Sequence, residues 1–366
     1  MKKIVITGGS GFVGQNLALA LQTRTNSEII VLDRNSALNK YRGIVVDHII
    51  HLAGANVPAK KENYVSDNVD YAEEILKIFT ARDEKSCFHY ASTKRVNRDD
   101  LYGASKKAGE TLVNTLAPKE GWRPIIWRLP NVFGKWCRPN YNSFVSTFIK
   151  QAISGQDLSV YNPMSQVELL YIDDLVDLYI EAISSNMFEA GALIEKFPTT
   201  STTVGAVAEL ITRFFKEFNT TSLVSVSNKF EKQLHATFLS YLTQEDASFK
   251  LKRFESPTGA FCEVFKSIHL GQISVLTIEQ NETRGNHYHH TKCENFYLSL
   301  GSVNLIERDV RGGEDKIRTI NEGESFWTRP GWVHTIKNIG STPAVLLIWA
   351  NEIFDHDRPD TYRPDD

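Results

Sequence analysis

Ile4-Val5-Ile6-Thr7-Gly8-Gly9-Ser10-Gly11-Phe12-Val13-Gly14 decides how the first half of this chain folds. Residues 4–7 are a short β-rich run that enters a glycine cluster, and residues 15–22 then read helical. Glycines at 8, 11 and 14 permit a tight turn, close approach of backbone to a pyrophosphate, and close packing of helix on strand. The start of the helix would offer its unpaired N–H groups and positive dipole end to the phosphates. Glycine also gathers in ordinary loops because it reaches φ > 0 freely. This loop differs in lying between a strand and a helix, with Asp33 ending the next strand 19 residues after Gly14. That context makes Gly8, Ser10, Gly11, Phe12, Val13, Gly14 and Asp33 candidates for binding a dinucleotide. Asp33 would bond the ribose hydroxyls and favour NAD, whereas Arg34 beside it would pair with a 2′-phosphate and favour NADP.

Working outward, Ile29 to Leu32 and Ile49 to Leu52 read as further buried strands, with helical periodicity from Tyr71 to Phe79. Strands alternating with helices as far as about Phe218 imply a doubly wound parallel sheet, of the Rossmann α/β class. Asn219 to Lys250 is polar at first, then carries apolar residues at helical spacing from Phe230 to Leu242, which reads as a connecting helix. After Phe254 the pattern changes. Gln272 to Ile278, Asn295 to Leu305 and Ala344 to Trp349 are strand-like runs between Gly, Asn and Pro turns, the spacing of an all-β barrel or jelly roll. The expected domains are 1–243 and 244–366, and 366 residues suffice for two cores.

With 42% hydrophobic and 23% charged residues the composition is that of a globular chain rather than a disordered one. A net charge of −3 provides no basic footprint for nucleic acid or an anionic membrane. No apolar run approaches the roughly 18 residues of a membrane span. Cys87, Cys137, Cys262 and Cys293 form no CxxC pair, which reads as reduced thiols in a cytoplasmic enzyme.

Two constellations carry chemistry. Tyr102-Gly-Ala-Ser-Lys106 puts a phenol and an ammonium four apart, on one helical face. A cation beneath the phenol is expected to lower its pKa from about 10, so that it can protonate a ketone oxygen as hydride arrives at carbon. His89-Tyr-Ala-Ser-Thr93 ends nine residues upstream of Tyr102, and His51-Leu52-Ala53-Gly54 ends another strand where backbone would pass the cofactor. In the second half, His287-Tyr-His289 precedes Glu294, and His334 follows Pro330-Gly331. Alternate residues of a strand share a face, so His287 and His289 would both point into the barrel. Three imidazoles and a carboxylate suit zinc or another divalent transition metal.

Together, the glycine loop, Thr93, Tyr102 and Lys106 resemble the extended short-chain dehydrogenases, which act mainly on nucleotide sugars. Thr93 rather than Ser92 occupies the family's hydroxyl position. Pro130-Asn131-Val-Phe-Gly134 and Tyr171-Ile-Asp-Asp-Leu175 resemble its later signatures, and Lys94-Arg95 stand where its 4,6-dehydratases carry Asp-Glu. Ketone reduction is therefore favoured over dehydration. The ligand and turn positions of the second half resemble the two motifs of cupins. The combination, with Leu129 to Ser143, Phe230-Glu-Lys232, Leu239 to Leu242, Arg284 to Lys292 and Pro359 to Tyr362, resembles the CapF family of bifunctional capsular-polysaccharide enzymes.

That resemblance implies a cupin that epimerises C3 of a UDP-linked 2-acetamido-2,6-dideoxy-4-ketohexose. The first domain would then reduce the C4 ketone with NADPH, giving UDP-2-acetamido-2,6-dideoxy-L-talose on the route to UDP-N-acetyl-L-fucosamine. It implies Thr93, Tyr102 and Lys106 as catalytic residues, with Lys106, Leu52, Ala53 and Gly54 joining Arg34 and the loop at the cofactor. Asn131 and Lys135 would contact substrate, and His287, His289, Glu294 and His334 would hold the metal, in a homodimer. His290, Lys292 and Tyr297 flank the ligands and are candidates for the epimerase base. There are three departures from the pattern. Thr258, in Ser256-Pro-Thr-Gly-Ala-Phe261, replaces an arginine that grips diphosphate in sugar epimerases of this barrel type. Asp33 replaces a neutral residue of NADPH users, and Arg34 to Asp47 is short for the fold. The competing readings are a reductase with a purely structural cupin, a non-catalytic NADP sensor, and a cupin oxygenase.

Overall fold

The architecture comes from a computed structural model that describes residues 1–33, 35–54, 63–185 and 188–364. The chain forms two compact units, Met1–Thr212 with Asn228–Leu242, and Arg213–Ser227 with Thr243–Asp366.

In the first unit six strands pair in parallel in the order Ala192–Ile194, Arg123–Leu129, Cys87–Thr93, His48–His51, Lys2–Thr7 and Ser27–Leu32. Parallel strands covered by helices on both faces are apolar throughout, and Ile4 to Ile6, Ile49, Ile50, Phe88 and Trp127 are buried accordingly. The sheet ends at Ser27–Leu32. The short stretch after Asp33 holds a 3₁₀ turn, Leu38–Tyr41, and a two-residue strand, Val45–Val46, paired with Thr80–Ala81. The helix expected as a connector is Lys229–Leu239, and it packs into this unit. Leu234 and Phe238 are buried, Lys229 and Gln233 bond the carboxylate of Asp174, and the Phe230 ring lies 5.8 Å from that of Phe133.

The second unit contains two antiparallel sheets. Six strands run in the order Arg253–Ser256, Gly259–Ser267, Gly271–Ile278, Ala344–Ala350, Glu294–Leu300, Ser325–Trp327, and four in the order Thr283–His287, Trp332–Asn338, Ser302–Asp309, Lys316–Asn321. The run from Asn295 to Leu305 is two strands, divided at Gly301, where φ is +98°. Leu276, Phe296, Leu298, Leu305, Ile336 and Leu346 belong to the core of the barrel. Buried Asn338 ties its turns together, donating through Nδ2 to the carbonyls of Ile278, Glu279 and Thr342.

Three histidines lie within the parallel sheet. Burial, helped by the charge of Lys2, pushes His48 down to about 4, and burial with Lys106 pushes His51 down to about 3. Burial and the neighbouring His48 hold His89 well below its ordinary value. An unfolded chain protonates each near 6.5, so below that pH the unfolded state binds more protons than the native one. Stability should therefore fall as pH drops from about 6.5 toward 4, by up to about 1.4 kcal/mol per pH unit for each group. Urea unfolding followed by tryptophan fluorescence at pH 7, 6 and 5 measures this, and a midpoint that stays level would disprove it.

Candidate functional site

The strand Lys2–Thr7 hands over to the helix Phe12–Arg24 through the glycine loop. At Gly8 φ is +69°, and a Cβ there would lie 2.8 Å from the Ala53 nitrogen; one at Gly14 would lie 2.3 Å from the Gly8 carbonyl oxygen. A Cβ at Gly11 would meet only the Gly8 carbonyl, at 3.1 Å, which leaves that side of the loop open. Gly11 is the N-cap and supplies no side-chain bond, so the first N–H groups of the helix are left for an anion. Leu52 N donates to the Thr7 carbonyl, and Ala53 N to the Thr7 hydroxyl, at 3.2 Å each. Loop and strand end thus form one cradle that fits a dinucleotide phosphate. Asp33 follows the second strand, exposed, with Oδ1 accepting from Asn35 N at 2.9 Å. Arg34 lies outside the described residues.

Two adjacent hydroxyls have opposite duties. Ser92 donates to buried Glu110 at 2.5 Å, and Glu110 also accepts twice from Arg128, at 2.7 and 2.9 Å. Thr93 ends the strand Cys87–Thr93 beside the phenol of Tyr102, on the helix Leu101–Leu116, whose N-cap Asp100 accepts from Gly103 N at 2.7 Å. Burial pushes the Tyr102 phenol up to about 12, with the Thr93 hydroxyl and Arg95 opposing. The lowering expected from Lys106 is therefore replaced by a rise. The Lys106 ammonium is turned to the Ala91 carbonyl at 2.9 Å and lies 5.2 Å from the Tyr90 ring. Burial lowers Lys106 to about 8, with Glu110 opposing. A Cβ on Gly54 would come within 3.0 Å of Lys106 Nζ, which places that glycine at the same site. Lys135 pairs with Asp173 at 2.6 Å, and its carbonyl accepts from Asn16 of the helix after the glycine loop at 3.3 Å. Asn131 is exposed at the start of the strand Asn131–Phe133.

In the second unit His287, His289, Glu294 and His334 bring their ligand atoms within 4.8 Å of one another. His289 donates through Nδ1 to the Asp360 carbonyl, which leaves Nε2 facing the cluster, 3.3 Å from Glu294 Oε2. Neither ring nitrogen of buried His334 has a hydrogen-bond partner among the described residues. Burial pushes His287 down to about 4 and His334 to about 3, so both rings are neutral at physiological pH. Burial would raise Glu294, but its neighbours, with the Lys292 ammonium bonded to it at 2.8 Å, outweigh that and hold the carboxyl at about 2. The neutral rings of His287 and His334, an ionised carboxylate and the orphaned nitrogens of His334 fit a divalent cation. His287, Glu294 and His334 line a cavity of about 420 Å³ that Lys292, Arg284 and Glu263 also face.

A second trio, His48, Cys87 and His89, is equally close. There the Trp127 indole donates to His89 Nδ1 at 3.3 Å, so the ring keeps its proton on Nε2, 3.4 Å from His48. That nitrogen is the one a cation would need, and the trio is a packed polar core. Sequence reasoning missed Asp360, whose carboxylate accepts from the N–H groups of His290, Thr291 and Lys292 at 2.9, 2.7 and 2.7 Å. It also missed the pairing of Lys292 with Glu294 at 2.8 Å. The one signal was the segment Pro359 to Tyr362, quoted without a role.

Fold and sites define a nucleotide-binding α/β unit of the extended short-chain dehydrogenase type joined to a cupin barrel with a ligand cluster. Residues 4–191 match the NAD dependent epimerase/dehydratase family, and residues 255–362 the polysaccharide biosynthesis C-terminal domain. The chain is 34% identical, over 98% of both chains, to the UDP-2-acetamido-2,6-beta-L-arabino-hexul-4-ose reductase of Pseudomonas aeruginosa. It superposes on the capsular polysaccharide assembling protein CapF from Staphylococcus aureus with a TM-score of 0.85 and 33% identity, over 99% of each chain. The UDP-glucuronic acid 4-epimerase from Bacillus cereus, solved with UDP-glucuronic acid and NAD, covers 65% of this chain and 98% of its own at 16% identity and a TM-score of 0.53, a likeness of fold alone. The chain belongs to the NAD dependent epimerase/dehydratase family, in its CapF type.

The ligand geometry gives a direct test. Purified protein should carry about one divalent ion per chain, and His287→Ala or His334→Ala should release it and lower the melting temperature. Equal metal content in all three proteins by elemental analysis would rule the site out.

Proposed function

We propose that this chain is a bifunctional nucleotide-sugar enzyme. The second unit epimerises C3 of a UDP-linked 2-acetamido-2,6-dideoxy-4-ketohexose. The first reduces the C4 ketone with NADPH to UDP-2-acetamido-2,6-dideoxy-L-talose, on the route to UDP-N-acetyl-L-fucosamine. The 34% identity to a UDP-ketosugar reductase along 98% of the chain supports the substrate class. The proposal includes a cytoplasmic homodimer with one zinc ion per chain.

What the nicotinamide supplies is hydride to C4. The chain's own part is to hold the sugar and deliver a proton. With its pKa pushed up to about 12 the Tyr102 phenol is protonated at neutral pH. It can give that proton to the C4 oxygen and recover one from water. The Thr93 hydroxyl beside it orients the same oxygen, and Lys106 holds the nicotinamide ribose. Asn131 and Lys135 would bind the sugar nucleotide.

The observation that carries the epimerase half is the cavity. Structural metal sites are closed by their ligands, whereas reactive ones keep an open side. Here His287, Glu294 and His334 face a space of about 420 Å³, which a clamp that only stabilised the barrel would not need. Held by His287, His289, Glu294 and His334, the cation would supply positive charge that makes a C–H next to a ketone more acidic. The barrel's residues remove the C3 proton and return one from solvent to the other face.

Full-length Tyr102→Phe protein, given ketosugar in D₂O without NADPH, should still exchange the C3 hydrogen for deuterium by NMR. Its NADPH oxidation should fall by at least about a hundredfold, the usual loss with a general acid. Reduction at the wild-type rate would remove Tyr102 from its role. Absence of exchange with metal bound would leave the barrel structural. With wild-type protein kcat/KM should favour NADPH over NADH, Asp33 Oδ1 being engaged by Asn35 N in its own turn. The reverse preference would show that Asp33 selects NAD.

A further inference from the structure

The strand Thr283–His287 does not alternate. Arg284 pairs with Ile336 and His287 with His334, and the register shifts between Gly285 and His287. Residues three apart on a regular strand face opposite sides. Here Gly285, at φ +103°, and Asn286, at φ +57°, form a bulge, and both Arg284 and His287 line the cavity. A side chain cannot replace the glycine, since its Cβ would lie 2.6 Å from the His334 carbonyl oxygen. Bulges re-aim side chains beside active sites, and this one sets a guanidinium in the same wall as a metal ligand.

The guanidinium rests on neutral oxygens. Arg284 Nη1 donates to Thr258 Oγ1 at 3.2 Å and approaches Ser256 Oγ at 3.5 Å. It forms no ion pair among the described residues. Of the carboxylates lining the cavity, Glu294 is held by Lys292 at 2.8 Å and Glu263 by Lys266 at 2.9 Å, and Glu352 pairs with no cation among the described residues. An arginine at a cavity wall with no counter-charge is a seat for an anion, and its planar fork matches phosphate oxygens. The turn at 256–259 carries no cation of its own, and this one reaches it from the opposite sheet.

We infer that Arg284 binds the diphosphate of a sugar nucleotide in the barrel, with Thr258 and Ser256 positioning the guanidinium. The inference rests on the reading that this unit acts on a UDP-linked ketosugar.

The test uses full-length, metal-loaded protein and follows C3 deuterium exchange against ketosugar concentration without NADPH. Arg284→Ala should raise KM about tenfold or more, the loss of a charge-assisted contact made equally in ground and transition states, with kcat little changed. Inhibition of exchange by UDP should weaken in parallel, while metal content and NADPH-dependent reduction of already epimerised ketosugar should match wild type. Adding Thr258→Arg to Arg284→Ala should restore the low KM by returning a guanidinium to the same place. Unchanged KM and UDP inhibition in Arg284→Ala would overturn the inference and leave the epimerase reading standing. No exchange by wild type would overturn both. Should Arg284→Ala lose its metal, Arg284→Gln replaces it, and metal loss there too would assign Arg284 to the fold instead.

Discussion

A charge buried in a protein has to be neutralised where it lies, and both units are arranged around that constraint. In the first unit Glu110 is nearly inaccessible, and its carboxylate takes two bonds from Arg128 and one from Ser92. Tyr102, Lys106 and Glu110 stand four apart on one helix, so they share a face. Anchoring Glu110 to two neighbouring strands therefore fixes the rotation and height of the helix that presents the phenol. Removing Arg128 would leave an uncompensated carboxylate on the helix that carries Tyr102, a change of the kind that costs about 3–5 kcal/mol. Placement of Tyr102 thus depends on an ion pair two turns away from it.

The barrel meets the same constraint with a different outcome. His287 and His334 stay neutral because burial makes protonation costly, and the carboxylate of Glu294 stays charged with Lys292 paired to it at 2.8 Å. Two neutral rings beside one anion are ready for a cation. The strap at Asp360 completes the arrangement. One residue fixes the His289 ring with its carbonyl and gathers three successive N–H groups with its carboxylate. Outer bonds of this kind orient a metal ligand and decide which nitrogen is free.

What the sequence made legible follows from the range of each interaction. The glycine loop and the Tyr102–Lys106 pair depend on spacing over a few residues and lie on the loop and helix that spacing implied, whereas His289 lies beyond the strand Thr283–His287 and its ring is held by the Asp360 carbonyl. The pKa of Tyr102 is not legible in the spacing because proximity in sequence says nothing of burial or of where an ammonium points, and Lys106 points to the Ala91 carbonyl. The direction of Arg284 is not legible in its motif, since a bulge between Gly285 and His287 reverses the alternation by which directions are read. Asp360 lies 71 residues from His289, and no local pattern links them. The helix Lys229–Leu239 read correctly as a helix, yet its amphipathic face does not name the surface it covers.

That helix bears on how the two proposed activities can be separated. Residues 213–227 go with the barrel, residues 228–242 return to the first unit, and the chain then passes into the barrel again. Leu223 N donates to the Lys266 carbonyl and Lys266 N to the Thr221 carbonyl, both at 2.8 Å, so residues 221–223 lie against the strand Gly259–Ser267. A cut between 243 and 244 would strip that segment and leave backbone groups of Lys266 without these partners, on the strand that also carries Phe261 and Glu263 into the cavity. Unpaired strand edges lose stability and recruit other chains. An isolated barrel that failed to exchange hydrogen could owe its failure to the missing segment as readily as to a missing activity. Point substitutions in the whole chain, at Tyr102 for one half and at His334 for the other, would divide the proposed chemistry without disturbing that edge.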